Sequence, residues 1–186
     1  MKKLILLLIT GLFAAGLSAQ TVDSQSQKLI ETYVKSNVDI KMEMVNQSDL
    51  GKVFVGKFYK ILVGFIESGS GSNSCGDADF VNILGTTVTM AEKVHTDIEC
   101  PVLLSLLRKD FMMKDENAAK LFEACLNILY PVSKSESSNL RHFKKDQQWI
   151  FLRGKFFDDY TAFIVTTAPN GTITKIEVKL SYPVNP

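Results

Sequence analysis

Two histidines and three cysteines limit the chemistry open to this 186-residue chain. The segment His95-Thr96-Asp97-Ile98-Glu99-Cys100 gathers an imidazole, two carboxylates and a thiol within six residues. On a strand, His95, Asp97 and Glu99 share one face, because side chains alternate with a period of two. That face has donors for a divalent metal. No second histidine stands at ligand spacing, so a solvated polar face is expected and no metal is assigned. His95 can serve Cys100 as a base only if that thiol is reduced. The chain has no G-x-S-x-G elbow, no H-E-x-x-H and no paired C-x-x-C. Asp158 and Asp159 beside Tyr160 offer an acid and a base, but neighbours between two strands are expected to be solvent-facing turn formers. No catalytic residue and no cofactor are assigned.

Two further stretches invite a binding reading. Residues 67–79 (E-S-G-S-G-S-N-S-C-G-D-A-D) resemble a phosphate loop, but lack the Gly-Lys-Ser/Thr ending that reaches phosphate and metal. A plain loop is expected there. Lys134, Arg141, His142, Lys144 and Lys145 form a basic run between residues 130 and 148. It is read as a solubilising loop, with an acidic partner as the competing use. Phe151, Phe156, Phe157 and Phe163 are expected in the core rather than around a ligand.

The elements that must position these residues follow from periodicity. Residues 24–36 read as a helix, with Ser24 and Gln27 as a capping box and Leu29, Ile30, Tyr33 and Val34 as its apolar face. Residues 38–44 alternate apolar and charged, as a half-buried strand does. Residues 52–66 are rich in β-branched and aromatic side chains and read as strand, with Gly56 and Gly64 at bulges or bends. Short strands are expected at 80–84 and 86–90, and a strand or helical turn at 102–107. Residues 115–130 give the clearest helix: Asp115 caps it, and Ala118, Leu121, Phe122, Cys125, Leu126 and Leu129 make a core-facing stripe. Pro131 ends it. Strands are expected at 149–156, 160–167 and 174–182. Ala168-Pro169-Asn170-Gly171 fits a type I turn followed by a glycine bulge. Helices early and strands late predict an α+β domain, with a curved antiparallel sheet packed on the 115–130 helix and a C-terminal three-stranded meander.

The start of the chain has the form of an export signal. Met1-Lys2-Lys3 is basic, residues 4–15 are almost wholly apolar, and Gly16, Ser18 and Ala19 supply small residues for cleavage. The apolar run covers about twelve residues, short of the roughly 20 that a membrane-spanning helix needs. The first cysteine is Cys75, so none lies near the cleavage point to carry a lipid. Residues 1–19 are therefore read as a signal removed near Ala19. Residues 20–186 are read as one exported domain, secreted or periplasmic. The product has 167 residues (186 − 19), with 19 basic side chains (21 − 2) against 20 acidic, a net charge of −1. That balance argues against nucleic acid, and no second segment is apolar enough to cross a membrane. Cysteines in an exported chain point to a disulfide. Cys125 sits on the buried helical stripe as a small hydrophobe, which leaves Cys75 and Cys100 as the expected bridge, typically worth roughly 2–4 kcal/mol.

The element order, with W-I-F-L-R-G-K-F at 149–156 and N-G-T-I-T-K-I-E-V at 170–178, resembles the cystatin-like folds and the cone-shaped domains similar to nuclear transport factor two. The ending also resembles that of small secreted proteins of Bacteroidetes-type bacteria. The cone resemblance implies an apolar pocket, here between the 115–130 helix and Trp149, Phe151, Phe163 and Ile176, sized for a small apolar ligand. The leading expectation is an exported, non-catalytic binding or interaction module that takes such a ligand or a protein partner. One alternative is a cone-fold pocket enzyme of hydrolase or isomerase type, with His95 or Asp158 as its acid–base group. The other is a peptidase-inhibitor-like or immunity-like protein that uses residues 68–74 as a wedge.

Overall fold

The computed structural model describes residues 22–34, 41–63, 80–91, 98–132, 141–156 and 159–183. The protein is α+β. Helix α1 spans Ser24–Val34. Its cap is Asp23 rather than Ser24: the Asp23 carboxylate accepts from the Ser26 amide at 2.9 Å and from its hydroxyl at 2.8 Å. An acidic side chain at this end also suits the helix dipole. Strand β1 (Lys41–Met44) lies where the alternation predicts a strand.

Residues 52–66 are not all strand. Helix α2 (Gln47–Val53) precedes strand β2 (Lys57–Val63). The Asn46 side chain caps α2 at the Ser48 amide, 2.9 Å away, and Leu50 and Val53, three apart, are both buried. Three residues divide the helix from the strand. Among them Gly56 adopts φ +82°, and a Cβ there would lie 2.6 Å from Asn82 Oδ1 and 2.8 Å from the Ile83 carbonyl. Only glycine fits both the torsion and the space. Gly64 falls outside the described residues.

Strands β3 (Phe80–Leu84) and β4 (Thr87–Ala91) form a hairpin. Gly85 supplies the positive φ, +62°, that a two-residue turn of type II′ needs at its first position. Then come β5 (Ile98–Glu99), helix α3 (Pro101–Ser105) and helix α4 (Glu116–Leu129). The 102–107 segment is thus largely helical, started by Pro101. Asp115 caps α4 by accepting from the Ala118 amide at 2.9 Å. Strands β6 (Arg141–Lys145), β7 (Gln148–Phe156), β8 (Asp159–Thr167) and β9 (Ile173–Tyr182) complete the chain.

Two antiparallel sheets form in place of the single curved one expected. The four-stranded sheet has the order β1-β2-β3-β4, and the five-stranded sheet the order β5-β9-β8-β7-β6. The C-terminal strands do run as a meander, but β5 and β6 extend it at both edges. Most of the described basic run is therefore strand β6 rather than loop. The β8–β9 turn has the geometry its sequence predicts. The Gly171 amide donates to the Ala168 carbonyl at 2.9 Å, and Gly171 has φ +89°. A Cβ at Gly171 would also stand 3.2 Å from the Lys114 backbone, so glycine lets the 113–114 segment lie against the turn.

The largest core draws on both sheets. Phe122 of α4 meets Phe54 at 5.9 Å and Phe151 of β7 at 5.3 Å, between ring centroids. Tyr130 meets Phe80 of one sheet at 5.7 Å and Phe163 of the other at 5.0 Å. Burying each such ring is worth about 1.5–3 kcal/mol. Two smaller clusters lie on the opposite faces. Ile30 of α1 packs on Tyr59, Val81 and Ile83 of the four-stranded sheet, and Ile150, Leu152, Ala162 and Ile164 group on the far side of the five-stranded one.

Candidate functional site

Helix α1 crosses the outer face of the four-stranded sheet and is anchored near one end. Ser26 Oγ lies 2.9 Å from the Tyr59 hydroxyl, and Ile30 is wholly buried. Beyond these anchors the helix leaves an open cleft of about 500 Å³ beside the β3–β4 hairpin. Gln25, Lys28, Leu29 and Thr32 form one wall, and residues 86–88 the other. Leu29 and Val88 give it apolar surface. Lys28 brings the one charge among its lining residues, and among the described residues its ammonium makes no ion pair. The Thr32 hydroxyl is turned back to the Lys28 carbonyl at 2.7 Å. Among the described lining residues, Leu29 and Val88 are apolar and Gln25, Thr32, Thr86 and Thr87 carry hydrogen-bonding groups, a make-up that can hold a ligand.

A second, more polar cleft of about 400 Å³ lies where the β6–β7 and β8–β9 turns meet residues 113–114. Lys114, Lys144, Asp146 and Asn170 surround it. The Lys144 ammonium lies 5.5 Å from the Trp149 ring centre, a cation–π contact.

Trp149, Phe151, Phe163 and Ile176, the expected pocket residues, come together under α4, but as filled core. Each is at most 4 % exposed, and none lines either cleft. Between ring centroids, Phe151 lies 5.3 Å from Phe122 and Phe163 lies 5.0 Å from Tyr130.

His142 was read only as part of a basic run. Its ring nitrogens sit between two carboxylates of α4, with Nε2 2.8 Å from Glu116 and Nδ1 2.9 Å from Glu123. Carboxylates only accept, so both contacts are hydrogen bonds when both ring nitrogens carry hydrogen. The i, i+7 spacing of the two glutamates on one helical face was the readable signal. Next to this bracket, Arg153 of β7 is 4 % exposed. It donates to Asn127 Oδ1 and to the Leu126 and Tyr130 carbonyls, covering the C-terminal end of α4. Burial pushes its guanidinium down to about 10, opposed by the charge of Glu123. Together these groups staple α4 to β6 and β7.

Cys125 is a free thiol, fully buried on α4, as its stripe position implied. Burial first, and then the charge of Asp49, push it up to about 12, so it is a poor nucleophile. Cys100 is wholly buried at the start of α3. Its expected partner Cys75, together with His95, Asp97, Asp158 and the proposed wedge at 68–74, lies outside the described residues. Glu99 is described, and pairs with Lys175 at 2.9 Å.

Among the described residues no cluster of potential ligands is arranged to hold a metal, and no helix is long and apolar enough to cross a membrane. No protein-family model, curated protein or solved structure matches the chain. The cone-fold resemblance therefore rests on element order and the strand, Asn-Gly turn, strand ending, and the division into two sheets departs from the single curved sheet expected.

Proposed function

We propose that this protein is an exported, non-catalytic binding or interaction module whose ligand or partner sits in the cleft between α1 and the β3–β4 hairpin. The observation that carries this reading is the make-up of the cleft among the described residues: apolar and hydroxyl-bearing walls with the Lys28 ammonium at their edge. Trp149, Phe151, Phe163 and Ile176, expected around a pocket under α4, are buried and line neither cleft, so the binding role is assigned to this one. Export is supported by the basic start, apolar run and small residues of positions 1–19. On this reading they are removed near Ala19, and residues 20–186 act as one domain in the periplasm or outside the cell. A Cys75–Cys100 bridge belongs to the same proposal. Its support is that, among the described cysteines, Cys125 is free and buried on the α4 stripe.

The test is native mass spectrometry of the chain recovered from its own host's envelope fraction, beside a Thr32→Trp variant that fills the cleft. An added mass on the wild type that disappears in the variant supports the reading. A bare chain in both, or the same added mass in both, overturns it.

A further inference from the structure

We infer that the outer edge of β4, beside this cleft, is a strand-addition site that takes a short extended segment of a partner protein carrying a carboxylate. The inference rests on the binding role just proposed and names its partner class.

The four sheet edges are finished in different ways. An open strand edge invites another chain to pair, and proteins blunt such edges with charge, bulges or shortness. Strand β6 at one edge reads Arg-His-Phe-Lys-Lys. Strand β1 has a lysine and a glutamate, and its register slips between Lys41 and Met42. Strand β5 is two residues long. Strand β4 has none of these devices. It reads Thr-Val-Thr-Met-Ala, without charge or proline, and pairs with β3 in unbroken register.

Backbone geometry selects the contact point. The two-residue turn makes Leu84 and Thr87 a hydrogen-bonded pair, so Thr87 and Thr89 direct their backbone groups at β3. Alternation turns the Val88 N–H and C=O outward. Among the described residues nothing bonds to them. Helices α1 and α3 both approach β4, and the cleft opens on the α1 side at residues 86–88. A segment paired at Val88 would send alternate side chains into this cleft. Leu29 and Val88 favour an apolar one, and the unpaired Lys28 ammonium favours an acidic one.

The experiment selects binders of the purified full chain from a displayed library of random twelve-residue peptides. It then measures one selected peptide against Val88→Pro, Lys28→Glu and Thr32→Trp variants. Proline at Val88 removes the outward donor and leaves the bonds to β3 in place; circular dichroism confirms that the variant folds. The expected result is peptides with alternating apolar positions and an acidic residue. Their affinity should fall at least about tenfold in Val88→Pro and in Lys28→Glu. Selection of no peptide, or peptides that bind Val88→Pro as well as wild type, overturns strand addition. A wild-type dimer in sedimentation that becomes monomeric in Val88→Pro also overturns it, because the edge then serves a second copy of the chain. If strand addition fails while the cleft-dependent mass persists, the binding role stands and only the partner class is lost.

Discussion

Helix α4 lies on the five-stranded sheet with Glu116, Glu123 and Asn127 bound to β6 and β7, whereas α1 lies on the four-stranded sheet with one flank open. Under α4, the rings of Phe54, Phe111 and Phe151 meet Phe122, and His142 of β6 and Arg153 of β7 hold the helix. Under α1, among the described residues, the buried Ile30 packed on Tyr59, Val81 and Ile83 and the Asp23–Ser26–Tyr59 contacts make the attachment. The difference teaches where stability and recognition are separated. A seam filled by rings and closed by charge has no room for a ligand. A helix pinned near one end leaves surface that a partner can use.

Substitution at the two anchors is the strongest way to break this comparison. Phe122→Ala should cost about 3–5 kcal/mol, since three rings lose their common neighbour. Ile30→Ala should cost about 2–4 kcal/mol. The sharper distinction is in extent. Ile30→Ala should raise hydrogen exchange in α1 and the strands beneath it and leave the five-stranded sheet protected. Phe122→Ala should weaken both sheets together. Equal spread of exchange in the two variants would show that α1 is as integral to the core as α4.

The two glutamates around His142 sharpen the picture of the closed seam. Glu123 is 19 % exposed and Glu116 57 %. Glu123→Gln should cost about 1–2 kcal/mol, because the amide oxygen can still accept from His142 but without the carboxylate's charge. Glu116→Gln should cost no more than about 1 kcal/mol, because water replaces the contact. Chemical denaturation of each variant measures this directly. A Glu116 effect equal to that of Glu123 would mean the outer carboxylate is part of the seam.

These regions differ as much in legibility as in packing. The α4 helix was readable because its apolar stripe repeats over more than three turns, and the β8–β9 turn because Pro-Asn-Gly specifies it locally. Helix α2 was hidden. Two buried positions, Leu50 and Val53, are too few to show a period, and the β-branched residues after them pull the reading towards strand. Strand β6 was hidden for the opposite reason. The charges that protect a sheet edge are the same charges that mark a loop. For Trp149, Phe151 and Phe163, sequence shows which aromatic residues are inside but not whether they leave a void. The cleft was not legible at all. Its walls come from a helix at residues 25–32 and a hairpin at 86–88, and none of these residues carries a motif. The uncharged β4 could have been noticed, but not that it forms an edge.

The last probe is Cys125, which reports how dry the α4 seam stays. Its thiol is pushed up to about 12 from an ordinary value of 9.0. An acid whose folded value is raised binds its proton more tightly in the native state than in the unfolded one. The unfolded chain therefore loses that proton first as pH rises, and stability falls above pH 9. Between pH 9 and 10 the loss from this group should be about 1 kcal/mol, and it should continue until the folded thiol itself ionises. Cys125→Ala should remove that component of the pH dependence, seen as the difference between the two denaturation profiles. Iodoacetamide at pH 8 should label Cys125 only as fast as the chain unfolds. Labelling at the rate of a free thiol in the native protein would show that water reaches the seam. The contrast between a closed α4 and an open α1 would then be one of degree.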